Sequence, residues 1–512
     1  MIVEVALSLN TTENFSYEFN GDPESIKEGM RVVVPVWNRL TTGWVVSTRS
    51  DYKGRVKSIM GIIKDEFIPD NKYLKFVHEI SRTFMISSGK LLDASLSPAM
   101  RSAANLYFKS IEGEFPVFKK SVKNFENICK NGVINIFYKI KGKEMEEENK
   151  NSQDGIEYSN IPEHLLYINY YRNEFYNKIW QKEKLSGRTP LILLPNNLSM
   201  GKYRSDINDL QIYNSRIKAA DKERLWKLAR GNNPVFIGGG ESALFLPVNH
   251  QGSIIIEKPG SFFYDKNIFS GIDLRKAARI KAKIMGVDII EGNSCLTSFH
   301  YYHKDSLQIR DERKNEISPV SIKKLNPGVR IPPDQVTDTI INDFTRGDRV
   351  LVIVSKRGSF KFLFCPECKS IYKCTLCGGT ITISSDDIFN CLSCSYTADK
   401  IDTCKKCNSE LKIIEDISVG SLKKKLVGRA GEKSIVSFEN KPQKGYENTF
   451  ERPESGVGKI FILTPAEVNS IPEKSFDSAI FIKPESFFDL NSFNRGEQIF
   501  AFIKDLREVV TQ

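Results

Sequence analysis

The sequence lacks three features that would each define a class of protein. It contains no run of about 18 apolar residues, so we expect no transmembrane helix and no membrane partner. Its N-terminus has neither a basic stretch nor a small-residue cleavage site, which predicts a cytoplasmic protein without a signal peptide. The pattern Gly-x-x-x-x-Gly-Lys-Ser/Thr is also missing, and its absence excludes an ordinary P-loop nucleotide site.

The composition that is present is typical of a folded, soluble protein. The chain has 512 residues, of which 40% are hydrophobic and 27% charged. This length is enough for about three or four domains. The net charge of +11 favours a polyanionic partner such as nucleic acid, because each phosphate that is neutralised releases counterions. A compositional bias towards lysine is the alternative explanation of the charge.

The cysteines are concentrated in one segment. Eight of the ten form four Cys-x-x-Cys pairs, and only Cys129 and Cys295 are isolated. In a reducing compartment such pairs indicate metal binding rather than disulfides. Each pair supplies half of a tetrahedral site, so the segment predicts two structural zinc ions with four thiolates each. Free thiols or an iron–sulfur cluster are the alternatives. The pairs are Cys365/Cys368, Cys374/Cys377, Cys391/Cys394 and Cys404/Cys407.

Hydrophobic patterning divides the remaining chain. Residues 1–66 contain short β-branched runs typical of strands, and residues 70–96 have apolar positions at helical spacing. Residues 141–154 are highly charged and predict a flexible linker. Beyond about residue 160, apolar runs alternate with helical stretches, which favours parallel sheets built from βαβ units. The predicted strands are 190–195, 234–239, 252–257, 287–292, 349–355, 459–464 and 478–483.

Taken in order, these features resemble the PriA family of primosomal replication-restart helicases. The most specific part is the cysteine block directly after Arg357-Gly358. The other matching phrases are Phe15-Ser16-Tyr17, Gly29-Met30-Arg31-Val32, Val34-Pro35, Gly43-Trp44-Val45-Val46-Ser47, Gly239 to Pro247, and Arg275-Lys276-Ala277-Ala278-Arg279.

The resemblance implies a multidomain α/β fold. It has a β-rich N-terminal DNA-binding domain and two RecA-like parallel-sheet lobes, with a Cys-rich two-zinc insertion in the second lobe. We expect a domain like the family's DNA 3′-end-binding domain at 1–100 and a reduced winged-helix-like region with a flexible linker at 101–160. Degenerate lobes would follow at 161–310 and 311–512, with the zinc-binding insertion at 360–412.

The resemblance also implies the metal ligands. It places Cys365, Cys368, Cys404 and Cys407 on one zinc ion. It places Cys374, Cys377, Cys391 and Cys394 on the other.

Candidate DNA contacts lie in the N-terminal region, where aromatic faces could stack on unpaired bases and cationic side chains could neutralise phosphates. By resemblance, Phe15 and Ser16 line a pocket for a 3′ end, with Lys57 nearby. The family has Asp at the position of Ser16 and Gly near that of Trp37. The alternative for Phe15 and Tyr17 is that they alternate along a strand, with at least one in the core. The complete candidate set is Phe15, Ser16, Tyr17, Trp37, Arg39 and Lys57.

Four phosphate-handling motifs of the family are replaced in this chain. The family's Gly-Ser-Gly-Lys-Thr loop falls on Ile168 to Asn173, and its Asp-Glu-Glu-His motif on Glu257-Lys258-Pro259-Gly260. The Gly-Ser-Ala-Thr-Pro-Ser motif falls on Gly292 to Thr297, and the arginine-rich motif on Glu508 to Gln512. Because these changes remove the groups that stabilise phosphoryl transfer, we expect no ATP hydrolysis.

The sequence therefore predicts a bacterial, nucleoid-associated replication restart protein. We expect it to bind stalled or forked DNA, including junctions between single and double strands. We also expect it to nucleate a primosome with other primosome proteins and the machinery that loads the replicative helicase, without helicase activity. One alternative is an ATP-dependent 3′–5′ DNA helicase with a remodelled nucleotide site. A second is a zinc-containing scaffold that binds proteins.

Overall fold

The computed structural model of the protein describes most of the chain. The candidate linker at 141–154, Cys129 and Arg357-Gly358 lie outside the described residues. Described are 1–37, 39–49, 54, 56–65, 67–101, 106–110, 113–117, 134–138, 163–169, 172–196, 199–266, 271–312, 320–321, 334–355, 361–379, 381–383, 388–391, 394, 396–398, 401–415, 417–438, 458–483 and 495–511.

The N-terminal region forms one mainly antiparallel sheet of eight strands. Their order across the sheet is β2-β1-β4-β3-β5-β8-β6-β7, and only β5 and β8 run parallel. The last three strands come from residues 101–160, for which we expected a reduced winged-helix-like region, and they extend this sheet. The strands are β1 (Ile2–Leu7), β2 (Phe15–Glu18), β3 (Arg31–Val36), β4 (Arg39–Arg49), β5 (Gly61–Ile63), β6 (Leu106–Ser110), β7 (Gly113–Pro116) and β8 (Ile134–Tyr138).

Two helices connect this sheet to the rest of the molecule. The sequence suggested one helical stretch over 70–96, but the structure has helices Asn71–Phe84 and Ser88–Ser95, followed by the short helix Pro98–Arg101. The break lies at Met85, whose left-handed backbone ends the first helix, and the Ser87 hydroxyl then caps the second. Propensity alone does not reveal such a break, since neither glycine nor proline marks it.

The N-terminal region and the first parallel sheet share one hydrophobic core. Trp44 and Phe76 belong to the same buried cluster as Leu191 and Ile254 of the first parallel sheet. Hydrogen bonds cross the junction, among them one from the Tyr73 hydroxyl to the Phe245 carbonyl at 2.6 Å and one from the Trp226 indole to the Ser95 carbonyl at 2.7 Å. The two regions are therefore packed together rather than tethered.

The first parallel sheet has seven strands in the order β11-β12-β10-β13-β14-β9-β15. Sequential strands are separated by helices, which is the pattern of a doubly wound sheet. The strands are β9 (His164–Ile168), β10 (Thr189–Leu193), β11 (Gln211–Tyr213), β12 (Ile237–Gly239), β13 (Gln251–Glu257), β14 (Ile289–Asn293) and β15 (Gln308–Asp311). The helices are Asn173–Leu185, Met200–Asp206, Ala219–Arg230, Glu241–Leu244, Phe263–Lys266, Leu274–Met285 and Ser298–Tyr302.

The C-terminal region contains a second parallel sheet, in the order β23-β24-β16-β25, and a small antiparallel sheet formed by β17 to β22. The small sheet carries the cysteine pairs and is inserted between β16 and β23. The strands are β16 (Arg349–Ile353), β17 (Lys361–Cys365), β18 (Ser370–Ile371), β19 (Ile381–Ile383), β20 (Phe389–Cys391), β21 (Thr397–Ala398), β22 (Lys412–Glu415), β23 (Ile435–Ser437), β24 (Lys459–Leu463) and β25 (Ser478–Phe481). The helices are Asp334–Thr345, Val419–Ala430, Pro465–Val468 and Arg495–Val509.

The predicted fold class is confirmed: a mixed α/β chain with an antiparallel N-terminal sheet, two parallel sheets and a Cys-rich insertion in the C-terminal region. All seven predicted strands beyond residue 160 are present. The sequence did not predict β9, β11, β15 and β23, of which β11 and β23 have only three residues each. Within the described ranges, no helix is both long and apolar enough to cross a membrane.

Candidate DNA-binding surface, metal centres and interlobe crevice

The strand β2 places its three candidate residues in different environments. Phe15 and Ser16 are half-buried, whereas only 5% of Tyr17 is exposed. The Tyr17 hydroxyl donates to the Pro35 carbonyl at 3.3 Å, and burial raises its pKa to about 12. Tyr17 is thus a core residue, and its ring is not at the surface where a base could stack. Phe15 and Tyr17 are two positions apart and so lie on the same face of β2, and the half-buried Phe15 packs against the same hydrophobic cluster as Tyr17. The alternative that the sequence left open, with at least one of the two in the core, therefore holds for Tyr17.

Ser16 does not present a free hydroxyl on this strand. Its Oγ donates to Oε1 of Glu4, a buried residue on the neighbouring strand β1, at 2.7 Å. A carboxylate therefore lies beside Ser16, contributed by a different strand.

The remaining candidates meet at the tip of the β3–β4 hairpin. Val36 pairs with Arg39, so only two residues connect the strands. Trp37, the first of them, has a φ of 49° and is 80% exposed. The Lys57 ammonium donates to the Trp37 carbonyl at 2.8 Å, and the Lys57 carbonyl accepts from the amide of Glu18 on β2. Lys57 therefore links the hairpin tip to the strand that carries Phe15 and Ser16.

The eight clustered cysteines form two groups of four, and within each group the sulfur atoms all lie within 4.8 Å of one another. The measured Sγ–Sγ separations are 3.4 Å for Cys365–Cys407, 4.0 Å for Cys368–Cys404, 3.8 Å for Cys374–Cys394 and 3.4 Å for Cys377–Cys391. Four sulfurs at about 2.3 Å from one zinc ion would be separated by about 3.8 Å, the edge of the tetrahedron. Disulfides would require about 2.05 Å. Both groups could therefore hold a metal ion, and their geometry is compatible with zinc.

Backbone amides around each group donate to the sulfurs. The Cys368 amide points at Cys365 Sγ at 3.3 Å, and the Leu376 and Gly379 amides point at Cys374 and Cys377 Sγ at 3.4 Å. Such N–H···S contacts offset the negative charge of metal-bound thiolates and fix their orientation. Gly378 supplies the left-handed backbone, φ 72°, that this turn requires.

The carboxyl edge of the first parallel sheet is where ligands bind in doubly wound folds. In this chain a buried ionic network occupies that edge. We call it the interlobe network; it consists of Arg172, Glu257, Lys258, Asp505 and Glu508. Arg172, which follows β9, donates from Nη2 to Glu257 Oε1 at 2.7 Å, and the same Nη2 lies 2.9 Å from Glu508 Oε1 as an ion pair. Lys258 lies 2.9 Å from Glu508 Oε2 and 3.6 Å from Asp505 Oδ1. Glu508 and Asp505 belong to the helix Arg495–Val509, so the network connects the two parallel sheets.

The carboxylate of Glu257 is saturated with donors. Arg172 donates two hydrogen bonds, from Nε at 3.1 Å and from Nη2 at 2.7 Å, and the Tyr176 and Tyr203 hydroxyls donate one each. An ionised carboxylate has about four acceptor positions, so all four are used. Burial by itself would raise the pKa of Glu257, but the charge and hydrogen bonds of Arg172 outweigh it and hold the pKa below its usual value. No acceptor position remains for a metal ion.

Charges in the rest of the network are also balanced by protein groups. Burial would lower the pKa of Lys258, but the carboxylates of Asp505 and Glu508 raise it. Burial raises the pKa of Asp505 to about 6, although Lys258 and the Ser294 hydroxyl, 2.9 Å away, favour its charged form. Sequence reasoning missed Asp505 and Glu508 as partners of this edge. The available signal was Glu508, an acidic residue at the start of the stretch that falls on the family's arginine-rich motif.

Comparison with known proteins identifies relatives of this chain. Residues 4–97 match the family model of the PriA 3′ DNA-binding domain. Replication restart protein PriA of Borreliella burgdorferi is 22% identical over 483 residues, covering 90% of this chain and 69% of the relative. PriA of Chlamydia pneumoniae is 20% identical over 357 residues, covering 65% and 48%.

A solved structure, the DUF1998 helicase MrfA bound to DNA, is 10% identical and covers 66% of this chain and 42% of that chain. Its TM-score of 0.35 is too low for this likeness to support any argument about function. The sequence matches, in contrast, extend from the N-terminal sheet through both parallel sheets. The chain resembles the replication restart protein PriA over most of its length.

Proposed function

We propose that this protein is a replication restart factor that recognises forked DNA and nucleates primosome assembly without ATP-driven unwinding. The observation that carries the proposal is the match of residues 4–97 to a 3′ DNA-binding domain. The net charge of +11 gives the chain the sign that a DNA partner requires. Its protein partners would be primosome components and the helicase-loading machinery.

The DNA contacts that we propose are Phe15, Ser16, Trp37, Arg39 and Lys57. Arg39 and Lys57 are exposed, and both lie near the tip of the β3–β4 hairpin that carries the exposed Trp37. Cationic side chains would neutralise backbone phosphates, and aromatic faces would stack on unpaired bases. We leave Tyr17 out because it is a core residue.

We further propose zinc for both cysteine groups. Four thiolates leave no open coordination position, so each ion would be structural rather than catalytic. The ions would hold the small antiparallel sheet as a rigid insertion that is available to DNA or to partner proteins.

The interlobe network is the structural observation that supports an absence of ATP turnover. A nucleotide at the carboxyl edge of the first sheet would have to displace Glu508 and Asp505 from Arg172 and Lys258. It would also lack a metal-binding carboxylate, since Glu257 uses its acceptor positions for Arg172 and two tyrosines. ATP hydrolysis needs both a phosphate cradle and a carboxylate on Mg²⁺, and the charged residues described at this edge are already paired with one another.

Fluorescence anisotropy on labelled forks tests the DNA role. A fork with a recessed 3′ end at the junction should bind more tightly than the same fork without that end, and affinity for both should fall as salt is raised. The double variant Arg39→Ala/Lys57→Ala should bind about tenfold or more weakly, since each contact to a phosphate contributes counterion release. Lys184→Ala, which removes an exposed cation from the first parallel sheet, is the matched control.

Two results would contradict the proposal. Negligible binding to both forks would remove the DNA role and leave the protein-binding scaffold. Equal affinity of the double variant and the control would show that the hairpin end does not contact DNA.

A further inference from the structure

The hairpin between β3 and β4 has an unexpected residue at its tip. Two-residue hairpin loops need left-handed backbone angles, and Asn, Asp and Gly are preferred there because a bulky side chain rarely adopts them. Trp37 nevertheless occupies the first loop position with a φ of 49°. The turn itself therefore gives no reason for tryptophan, and glycine would fit it with less strain.

Packing against the rest of the protein does not explain the choice of tryptophan at this position either. Trp37 is 80% exposed, whereas the other three tryptophans, Trp44, Trp180 and Trp226, are at most 3% exposed. The backbone beneath the ring is held, because the Lys57 ammonium donates to the Trp37 carbonyl at 2.8 Å. Strained conformations that the surrounding structure maintains are concentrated at binding sites.

We propose that Trp37 is a stacking platform for an unpaired base of single-stranded DNA beside a duplex junction. This inference rests on the proposed DNA-binding function and specifies one contact within it. A base is favoured over a protein side chain because two exposed cations lie at the same hairpin tip: Arg39 begins β4, and Lys57 binds the Trp37 carbonyl. With 80% of its surface exposed, the Trp37 side chain is open to a ligand from solvent.

The four tryptophans provide a direct readout. Because three are buried, stacking on Trp37 should quench one solvent-exposed component of the intrinsic fluorescence when oligothymidylate is added. Trp37→Ala should remove this quenching and weaken binding to the single strand by about tenfold, since one base stacked on an aromatic residue contributes a factor of roughly 5 to 150. Trp37→Phe should retain most of the affinity. Tyr302→Ala, which removes an equally exposed aromatic side chain at the end of the helix Ser298–Tyr302, serves as the control.

Trp37→Gly separates binding from folding. Since glycine relieves the strained turn, this variant should melt at the same or a higher temperature than the wild type while binding the single strand as weakly as Trp37→Ala. Unchanged affinity of Trp37→Ala, or a clearly lower melting temperature of Trp37→Gly, would overturn the inference. If the wild-type protein itself binds no DNA, the failure lies with the proposed function instead.

Discussion

Removal of metal is expected to unfold the segment from Cys365 to Cys407. The small antiparallel sheet has few apolar residues, and four of its buried positions are the proposed ligands Cys365, Cys374, Cys391 and Cys404. Without metal these sulfurs would form a polar centre in a core too small to fold unaided. Structural zinc supplies roughly 10–16 kcal/mol to such modules, which is comparable with the whole stability of a typical domain, about 5–15 kcal/mol.

Metal analysis and proteolysis measure this effect. The native protein should contain two zinc ions per chain, and chelation should expose the segment to cleavage while the parallel sheets stay protected. Cys365→Ser and Cys374→Ser should each lose one ion, because they belong to different groups. Cys295→Ser lies outside both groups and should retain two. A metal content near zero after native purification would refute the assignment.

Breaking the interlobe network is expected to destabilise the fold strongly. Arg172→Met would leave the buried carboxylates of Glu257 and Glu508 without their shared cation. Removing one partner of a buried ion pair costs about 3–5 kcal/mol, since the remaining charge stays desolvated. Lys184→Met removes a cation from an exposed pair with Asp209, in which both side chains are more than half exposed, and should cost less than about 1 kcal/mol.

Urea unfolding compares the free energies of unfolding of the two variants. A double-mutant cycle between Lys258 and Glu508 measures the contribution of a single ion pair of the network. We expect the cycle to show a coupling energy of about 1 kcal/mol or more, because the two groups are buried and 2.9 Å apart. If Arg172→Met lowers the free energy of unfolding no more than Lys184→Met does, the interlobe network does not stabilise the fold at the edge where other doubly wound proteins bind a ligand.

Local pattern predicted the elements better than it predicted the contacts. Runs of apolar residues were sufficient to locate seven strands, since burial on both faces imposes that composition. The Cys-x-x-Cys pairs predicted the two candidate metal sites equally well, because metal coordination restricts the spacing of the ligands. Which pairs share an ion depends on how β17, β20 and the turns between them fold together, and spacing alone does not specify it.

The sequence around each of its residues did not predict the interlobe network. Arg172 and Glu508 are separated by more than 300 positions, and each by itself looks like an ordinary charged residue. Only the packing of the helix Arg495–Val509 against the edge of the first sheet brings them together. Tyr17 shows a related limit, since alternation along β2 places Phe15 and Tyr17 on the same face but does not predict how deeply each is buried.

DNA-stimulated ATP hydrolysis is the measurement that tests the account most directly. Purified protein should release phosphate from ATP at the background rate, with or without forked DNA, while binding the same fork in parallel. Release that rises above background when the fork is added would contradict the account. It would show that a nucleotide can enter the edge that the interlobe network occupies. The chain would then be better explained as a helicase with a remodelled nucleotide site.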